Sequence, residues 1–292
     1  MSIPPDALAD AIAAAAPSIV CVEGRARRPS SGILIGPGRV LAADHAIERD
    51  SDLRVVDADG RVLAAEVAGR DPSSDLAALR VPGLDGPAAT AAPGARVGQL
   101  LAAVGRPGAD GVQASLGIVS AVGGPLRTRR GGVVAGVLRT DAVPFPGFSG
   151  GPIVDLSGRV LGVLTTGLVG GVALAIPAAL AWRVADALFT AGRVARAWLG
   201  VATQAVAVPA AARAAGAADF GLLVVGVSAG SPAEAGGLLV GDVVVAIDAQ
   251  HTSDAHELQD RLALAEPGQS VSLSLVRGGQ ATALTVTLGE QA

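Results

Sequence analysis

The sequence predicts a mostly β chain: two six-stranded antiparallel β-barrels followed by a small α+β domain. Three observations carry this. From residue 18 to 176, short apolar runs are broken at close intervals by Gly, Pro and Asp. A connector rich in Pro, Gly and Ala, PGLDGPAATAAPGA (82–95), divides these runs into two sets of about six. The hydrophobic period then changes at PAALAWRVADALFTAGR (177–193), and strands alternate with two helical segments from there to the C-terminus.

The first set comprises SIVCVE (18–23), GILIG (32–36), RVLAA (39–43), DLRVVDA (52–58), RVLAAEVAGR (61–70) and DLAALRV (75–81). The second comprises VGQLLAAVG (97–105), QASLGIVSAV (113–122), VVAGVLRT (133–140), GPIVDL (151–156), RVLGVLTT (159–166) and GVALAI (171–176). A duplicated six-strand unit implies two packed barrels, forming one domain over 17–177 with its linker at about 82–96. The helix at 178–195 has Leu180, Val184 and Leu188 on one stripe, with Pro177 at its head and Gly192 at its end. It leads to a second domain at 196–290. There SPAEAGG (231–237) carries a capping box, Ser231 with Glu234, and SDAHELQDRLALA (253–265) places Leu258, Leu262 and Ala265 on one helical face.

Residues 1–16 form an N-terminal segment in which the alanine-rich run 7–16 reads as a short helix. Two prolines and no positive charge precede it, unlike an export signal. As given, the chain is expected to be cytoplasmic, or periplasmic or extracellular if an export signal has been removed. The longest apolar stretch, VALAIPAALAW (172–182), contains a proline and falls short of a membrane span. All 22 basic residues are Arg, the net charge is −4, and Tyr is absent. The basic clusters RARR (25–28) and RTRR (127–130) have no aromatic stacking platform beside them, which argues against nucleic acid as a partner. A single cysteine, Cys21, excludes an intramolecular disulfide.

The chemistry concentrates in PGFSGGPIVD (146–155). Glycines around Ser149 let backbone N–H groups approach an oxyanion without a Cβ in the way, so Gly147 and Ser149 are candidate donors. Gly-Ser-Gly also occurs in ordinary turns, and the serine alone leaves both readings open. His45 is the one histidine of the barrel region and follows an apolar strand between small neighbours, in VLAADHAI (40–47). Asp75 opens a strongly apolar strand in DPSSDLAALRV (71–81), where an acid is costly unless hydrogen-bonded, and an imidazole N–H is a fitting partner. The order His, Asp, Ser, with the serine on the other barrel, is that of a two-barrel catalytic triad.

Residues 18–177 resemble the trypsin-fold proteases of the HtrA/DegP family, and the remainder resembles their PDZ domain. VLAADHAI, DPSSDLAALRV, SLGIVSAV (115–122), LRTDAVPFPGFSGGPIVD (138–155), VALAIP (172–177) and AWLGV (197–201) match its motifs in order. The resemblance implies His45 as general base, Asp75 as its orienter, Ser149 as nucleophile, and an oxyanion hole from the N–H groups of Gly147 and Ser149. It implies no metal or other cofactor. It puts the floor of the substrate pocket at Val143 and its walls around Leu164, Thr165, Thr166 and Gly167, a lining that takes small or medium aliphatic side chains. It implies peptide binding in the PDZ domain by the N–H groups of Leu199, Gly200 and Val201, beside Leu258 and Leu262. The expected activity is ATP-independent endoproteolysis of unfolded or exposed polypeptide, in protein quality control.

Two features depart from the family. Phe148 stands where an Asn or Asp is usual, and PFP (144–146) precedes the glycine. They support an alternative, a latent or non-hydrolytic chaperone or scaffold whose oxyanion loop is collapsed around Phe148. A homo-oligomer is implied, although the aromatic-rich contact that would make it a trimer has no counterpart in 1–17.

Overall fold

A computed structural model describes residues 4, 6–26, 28–49, 51–108, 110–129, 132–170, 172–208 and 219–290. Arg27 and Arg130 of the basic clusters, residues 1–3 and 5 of the opening segment, and Gly171 lie outside them. The chain divides into two compact units, Met1–Val194 and Ala195–Ala292.

The first unit opens with α1 (Ala7–Ala15) and continues as six strands: β1 (Ile19–Glu23), β2 (Ser30–Gly36), β3 (Arg39–Ala43), β4 (Leu53–Val56), β5 (Val62–Asp71) and β6 (Leu76–Arg80). They close into a barrel in the order β1-β2-β3-β6-β5-β4. After the connector come β7 (Leu100–Gly105), β8 (Gln113–Gly123), β9 (Leu126–Arg127), β10 (Val133–Val134), β11 (Val137–Thr140), β12 (Pro152–Val154), β13 (Val160–Thr165) and β14 (Leu174–Pro177). Six of these close a second barrel, β11-β14-β13-β12-β7-β8, while β9 and β10 form a separate hairpin. The run at 133–140 is thus two strands, not one. The Thr128 N–H and hydroxyl both bond Gly132 O, closing the hairpin, and β11 starts afresh after Gly136.

Burial on both faces explains why these strands read as continuous apolar runs rather than as an alternation. Val20, Val22, Val40, Ala42, Leu53, Val55 and Leu79 fill the first barrel. Leu101, Ala103, Val119, Leu138, Ile153 and Leu161 fill the second. The opposite faces of the same strands, Ile19, Leu41, Val104, Val154 and Val163 among them, pack with α2 (Ala178–Ala191) in a third cluster. The helix is therefore part of the barrel unit, its buried side running through Ala181, Val184, Ala185 and Leu188 while Leu180 is half-buried. At its end Arg80 donates to Phe189 O at 2.7 Å, and a Cβ on Gly69 would lie 2.4 Å from Gly192 O.

Cys21 is buried in β1, and desolvation, reinforced by the nearby Glu23 and opposed by Arg106, pushes its thiol up to about 11. Only the thiolate reacts. Iodoacetamide at pH 8 should therefore leave the native protein unmodified and alkylate it fully in denaturant. Rapid alkylation of the native chain, read by mass spectrometry, would contradict this burial.

The second unit contains β15 (Ala197–Trp198), β16 (Val201–Ala207), β17 (Phe220–Val227), α3 (Pro232–Ala235), β18 (Val243–Ile247), β19 (Gln250–His251), α4 (Ala255–Leu264), β20 (Ser270–Arg277), β21 (Gln280–Thr287) and β22 (Gly289–Glu290). Its main sheet runs β16-β17-β18-β20-β21, leaving β16 at an edge. Half of the predicted capping box forms in α3, where Ser231 Oγ accepts from Glu234 N–H at 3.2 Å. Glu234 reaches one residue further back than expected, to Gly230 N–H. Asp254 caps α4 by accepting from the N–H groups of His256 and Glu257.

Candidate active site

The first barrel supplies a histidine and a carboxylate. β3 ends at Ala43 and turns through a single 3₁₀ turn, Asp44–Ala46, which carries His45 to the barrel rim. Buried Asp44 pairs with Arg70 at 2.9 Å, and Arg70 also donates to Ile47 O at 3.0 Å, so the turn is braced from β5. Arg25 donates to His45 O at 2.6 Å. Asp71 caps the loop after β5, its carboxylate accepting from Ser74 Oγ at 2.6 Å. That loop delivers Asp75 in the left-handed region, φ 57, a conformation non-glycine residues adopt rarely.

Buried Asp75 has both oxygens occupied. Oδ1 accepts the His45 main-chain N–H at 2.9 Å. Oδ2 lies 2.5 Å from His45 Nδ1 and also accepts the hydroxyl of Thr165. This arrangement fixes the imidazole with its proton on Nδ1 and leaves Nε2 as the basic nitrogen. Gly167 lies against the pair: a Cβ there would stand 2.5 Å from His45 Nδ1 and 2.6 Å from Asp75 Oδ2.

The second barrel supplies the serine. The loop between β11 and β12 turns through Gly147 at φ 91 and Gly150 at φ 86, values suited to glycine. Among the described residues, neither the Gly147 nor the Ser149 N–H has an acceptor within the chain. Phe148 between them does not fill the space before those donors. Its ring is buried with Leu101, Ala103, Ile153 and Leu164 in the barrel core and meets Phe145 edge-on, centroids 5.3 Å apart. Gly105 makes room for it, since a Cβ there would lie 2.6 Å from the Phe148 ring. Burying a Phe contributes about 1.5–3 kcal/mol, so the aromatic replacement anchors the loop. The collapse around Phe148 that the alternative reading offers is not what the structure contains. The Ser149 hydroxyl sits 3.3 Å from Thr166 Oγ1 and makes no hydrogen bond to His45.

Two residues expected in the pocket wall present no exposed side chain. Leu164 is 0% exposed in the barrel core, and Thr165 is 1% exposed with its hydroxyl on Asp75. In a strand successive side chains face opposite ways, and this part of β13 is buried on both sides. Thr166 and Gly167, just beyond the strand, are half-buried, and Val143 is 57% exposed with its carbonyl held by Ser115 Oγ. These three keep surface available to a substrate.

In the second unit, among the described residues, the N–H groups of Leu199 and Gly200 have no acceptor within the chain. Val201 begins the edge strand β16, paired on its other side with Val227. Gly200, at φ 85, packs against Ser231, where a Cβ would lie 2.3 Å from the Ser231 Cβ. Leu258 is buried and Leu262 half-buried on the face of α4 that packs with Leu199 and Val201. A free pair of N–H donors at the start of an open strand, beside an apolar helix face, suits a chain end that adds as a further strand.

Comparison with known proteins agrees with this fold. The model of the trypsin-like peptidase domain matches residues 30–163, and that of the PDZ domain matches residues 223–277. The chain is 35% identical over 280 residues to a probable periplasmic serine endoprotease DegP-like of Rhizobium meliloti (strain 1021), covering 91% of this chain and 55% of that protein. A DegP-like protein of Halomonas elongata is 34% identical over 272 residues, covering 90% and 57%. The chain thus spans about half the length of the curated relatives it matches. Among solved structures, the HtrA-type protease AlgW with decapeptide is 30% identical with a TM-score of 0.75, over 98% of this chain and 99% of that one. The serine endoprotease from Yersinia pestis is 28% identical with a TM-score of 0.73, over the whole of both chains. Fold and site together define a trypsin-like peptidase domain joined to a PDZ domain. The chain belongs to the HtrA-type serine proteases.

Proposed function

We propose that this protein is a serine endopeptidase that cleaves unfolded or exposed polypeptide, with Ser149 as nucleophile. The observation that carries the reading is the His45–Asp75 pair on one barrel and, on the other, a serine joined to it through the neighbouring Thr165 and Thr166, whose own N–H and that of Gly147 have no acceptor among the described residues. In the reaction Ser149 Oγ attacks the scissile carbonyl while His45 Nε2 takes its proton. The oxyanion is received by the N–H groups of Gly147 and Ser149, and His45 returns the proton to the leaving amine. Water, deprotonated by the same imidazole, then releases the acyl group and restores the serine. Val143, Thr166 and Gly167 border the side-chain pocket and offer no carboxylate, which favours cleavage after small or medium aliphatic residues. Leu199, Gly200 and Val201, with Leu258 and Leu262, bind peptide C-termini.

The Ser149–Thr166 contact favours a second reading, a latent form of the same enzyme. Hydrogen bonds between nucleophile and base are often long in unliganded sites and shorten once substrate is bound. In the latent form a peptide in the PDZ domain shifts the population toward the closed triad. For the compartment, the periplasmic names of the relatives support an exported protein, in place of the cytoplasmic location expected from the first residues.

The test is labelling with a fluorophosphonate probe, with and without a hydrophobic C-terminal peptide, beside Ser149→Ala. Labelling of the wild type alone supports a constitutive protease, and labelling only with peptide supports the latent form. A wild type that stays unlabelled and leaves casein intact in both conditions would turn the reading to a scaffold.

A further inference from the structure

We propose that Ser31, on the first barrel, is a positioning residue that holds the oxyanion donors of the second. The inference rests on the reading of Gly147 and Ser149 as the oxyanion hole. Ser31 is fully buried near the start of β2 and takes no part in the hydrogen bonds between His45 and Asp75. Its hydroxyl donates to Gly147 O at 2.7 Å and accepts the Arg106 N–H at 2.8 Å. Its main-chain N–H donates to Ser149 O at 3.1 Å. One residue therefore holds the carbonyls of the two residues whose N–H groups are left free.

Within a residue the N–H and C=O are separated only by φ and ψ, because the flanking peptide planes are rigid. Holding each carbonyl thus restricts where the N–H of the same residue can point. The restraint matters most at Gly147, since glycine has the widest choice of backbone conformations and here sits at φ 91. The hydroxyl has a single proton, and the incoming Arg106 N–H leaves it oriented toward Gly147 O. Arg106 is itself fixed, with Nε on Ile19 O at 2.6 Å and Nη2 on Ala16 O at 3.2 Å. The glycines of the loop permit the approach: a Cβ on Gly150 would lie 2.2 Å from Ser31 O, and one on Gly151 3.1 Å from Ser31 Cβ. The loop is thus held from two directions, by the apolar anchor of Phe148 and by the polar grip of Ser31.

Ser31→Ala removes the hydroxyl and keeps the main-chain bond to Ser149. Fluorophosphonate phosphonylation of the full chain reads the result, because the phosphoryl oxygen occupies the same donors as a substrate oxyanion. Deleting a donor outright costs about 10²–10³ in rate, and loosening one, the Gly147 N–H, should slow the reaction by about tenfold. The low-field proton resonance of His45 Nδ1 and the pH midpoint of labelling should be unmoved. Ser31→Cys, which keeps the volume and a weaker donor, should fall between wild type and Ala, and it serves if the Ala variant does not fold. An Ala variant that reacts at the wild-type rate overturns the proposal. So does a rate loss accompanied by a shifted or missing His45 resonance, which would make Ser31 a general support of the fold. A wild type as unreactive as Ser149→Ala both with and without the C-terminal peptide would overturn the oxyanion hole itself, and this proposal with it.

Discussion

Asp75→Asn should lower kcat by about four orders of magnitude, the scale known for loss of the triad carboxylate. The reason lies in the three donors that converge on Asp75: the His45 main-chain N–H, His45 Nδ1 and the Thr165 hydroxyl. An asparagine has one accepting oxygen for them. If its NH₂ group faces Nδ1, the imidazole must move its proton to Nε2 and can no longer accept one from Ser149. If the NH₂ group turns the other way, it opposes the His45 main-chain N–H, donor to donor. The measurement is kcat on a peptide substrate, together with ¹⁵N chemical shifts of the imidazole to read the tautomer. A variant within tenfold of wild type would remove Asp75 from its assigned role.

Gly167→Ala is the second substitution with a large expected effect, though it replaces no catalytic side chain. The added Cβ would meet His45 Nδ1 at 2.5 Å and Asp75 Oδ2 at 2.6 Å, closer than real Cβ contacts come, so one of the pair must move. A displacement of about 1 Å at a reacting group costs about 10²-fold, and kcat/KM should fall by at least that. The residue is half-buried at the end of a strand, so the melting temperature should change by only a few degrees. Full activity in Gly167→Ala would mean that the His45–Asp75 geometry tolerates more movement than its hydrogen bonds suggest.

The architecture was largely legible because turns and apolar runs mark strand ends, and twelve barrel strands follow from their spacing. The break inside 133–140 was not, since Ala135–Gly136 looks like any small pair within an apolar run. His45, Asp75 and Ser149 stood out by residue type and neighbours, and the structure brings the first two into contact. Which side chains of the pocket wall stay exposed was not legible, for a simple reason. A strand buried on both faces gives no alternation to say which side chains reach the cleft, so Leu164 and Thr165 look the same as Thr166. Phe148 misled in the opposite way. A bulky residue beside a nucleophile reads as an obstruction until Gly105, more than forty positions earlier, is seen to leave it a place in the core. Ser31 carried one faint signal, its place in a Ser-Ser-Gly run at the head of a strand. Nothing local says which carbonyl, 116 residues on, it will meet.

The division of the site between two closed barrels has a consequence for the chain during its own synthesis. His45 and Asp75 are complete once the first barrel has closed, whereas Ser149, Thr165 and Gly167 arrive with the second. A ribosome-bound chain that has folded only its first half holds a base with nothing to activate. On the proposed reading, the two halves of the site are both present only once the second barrel has closed.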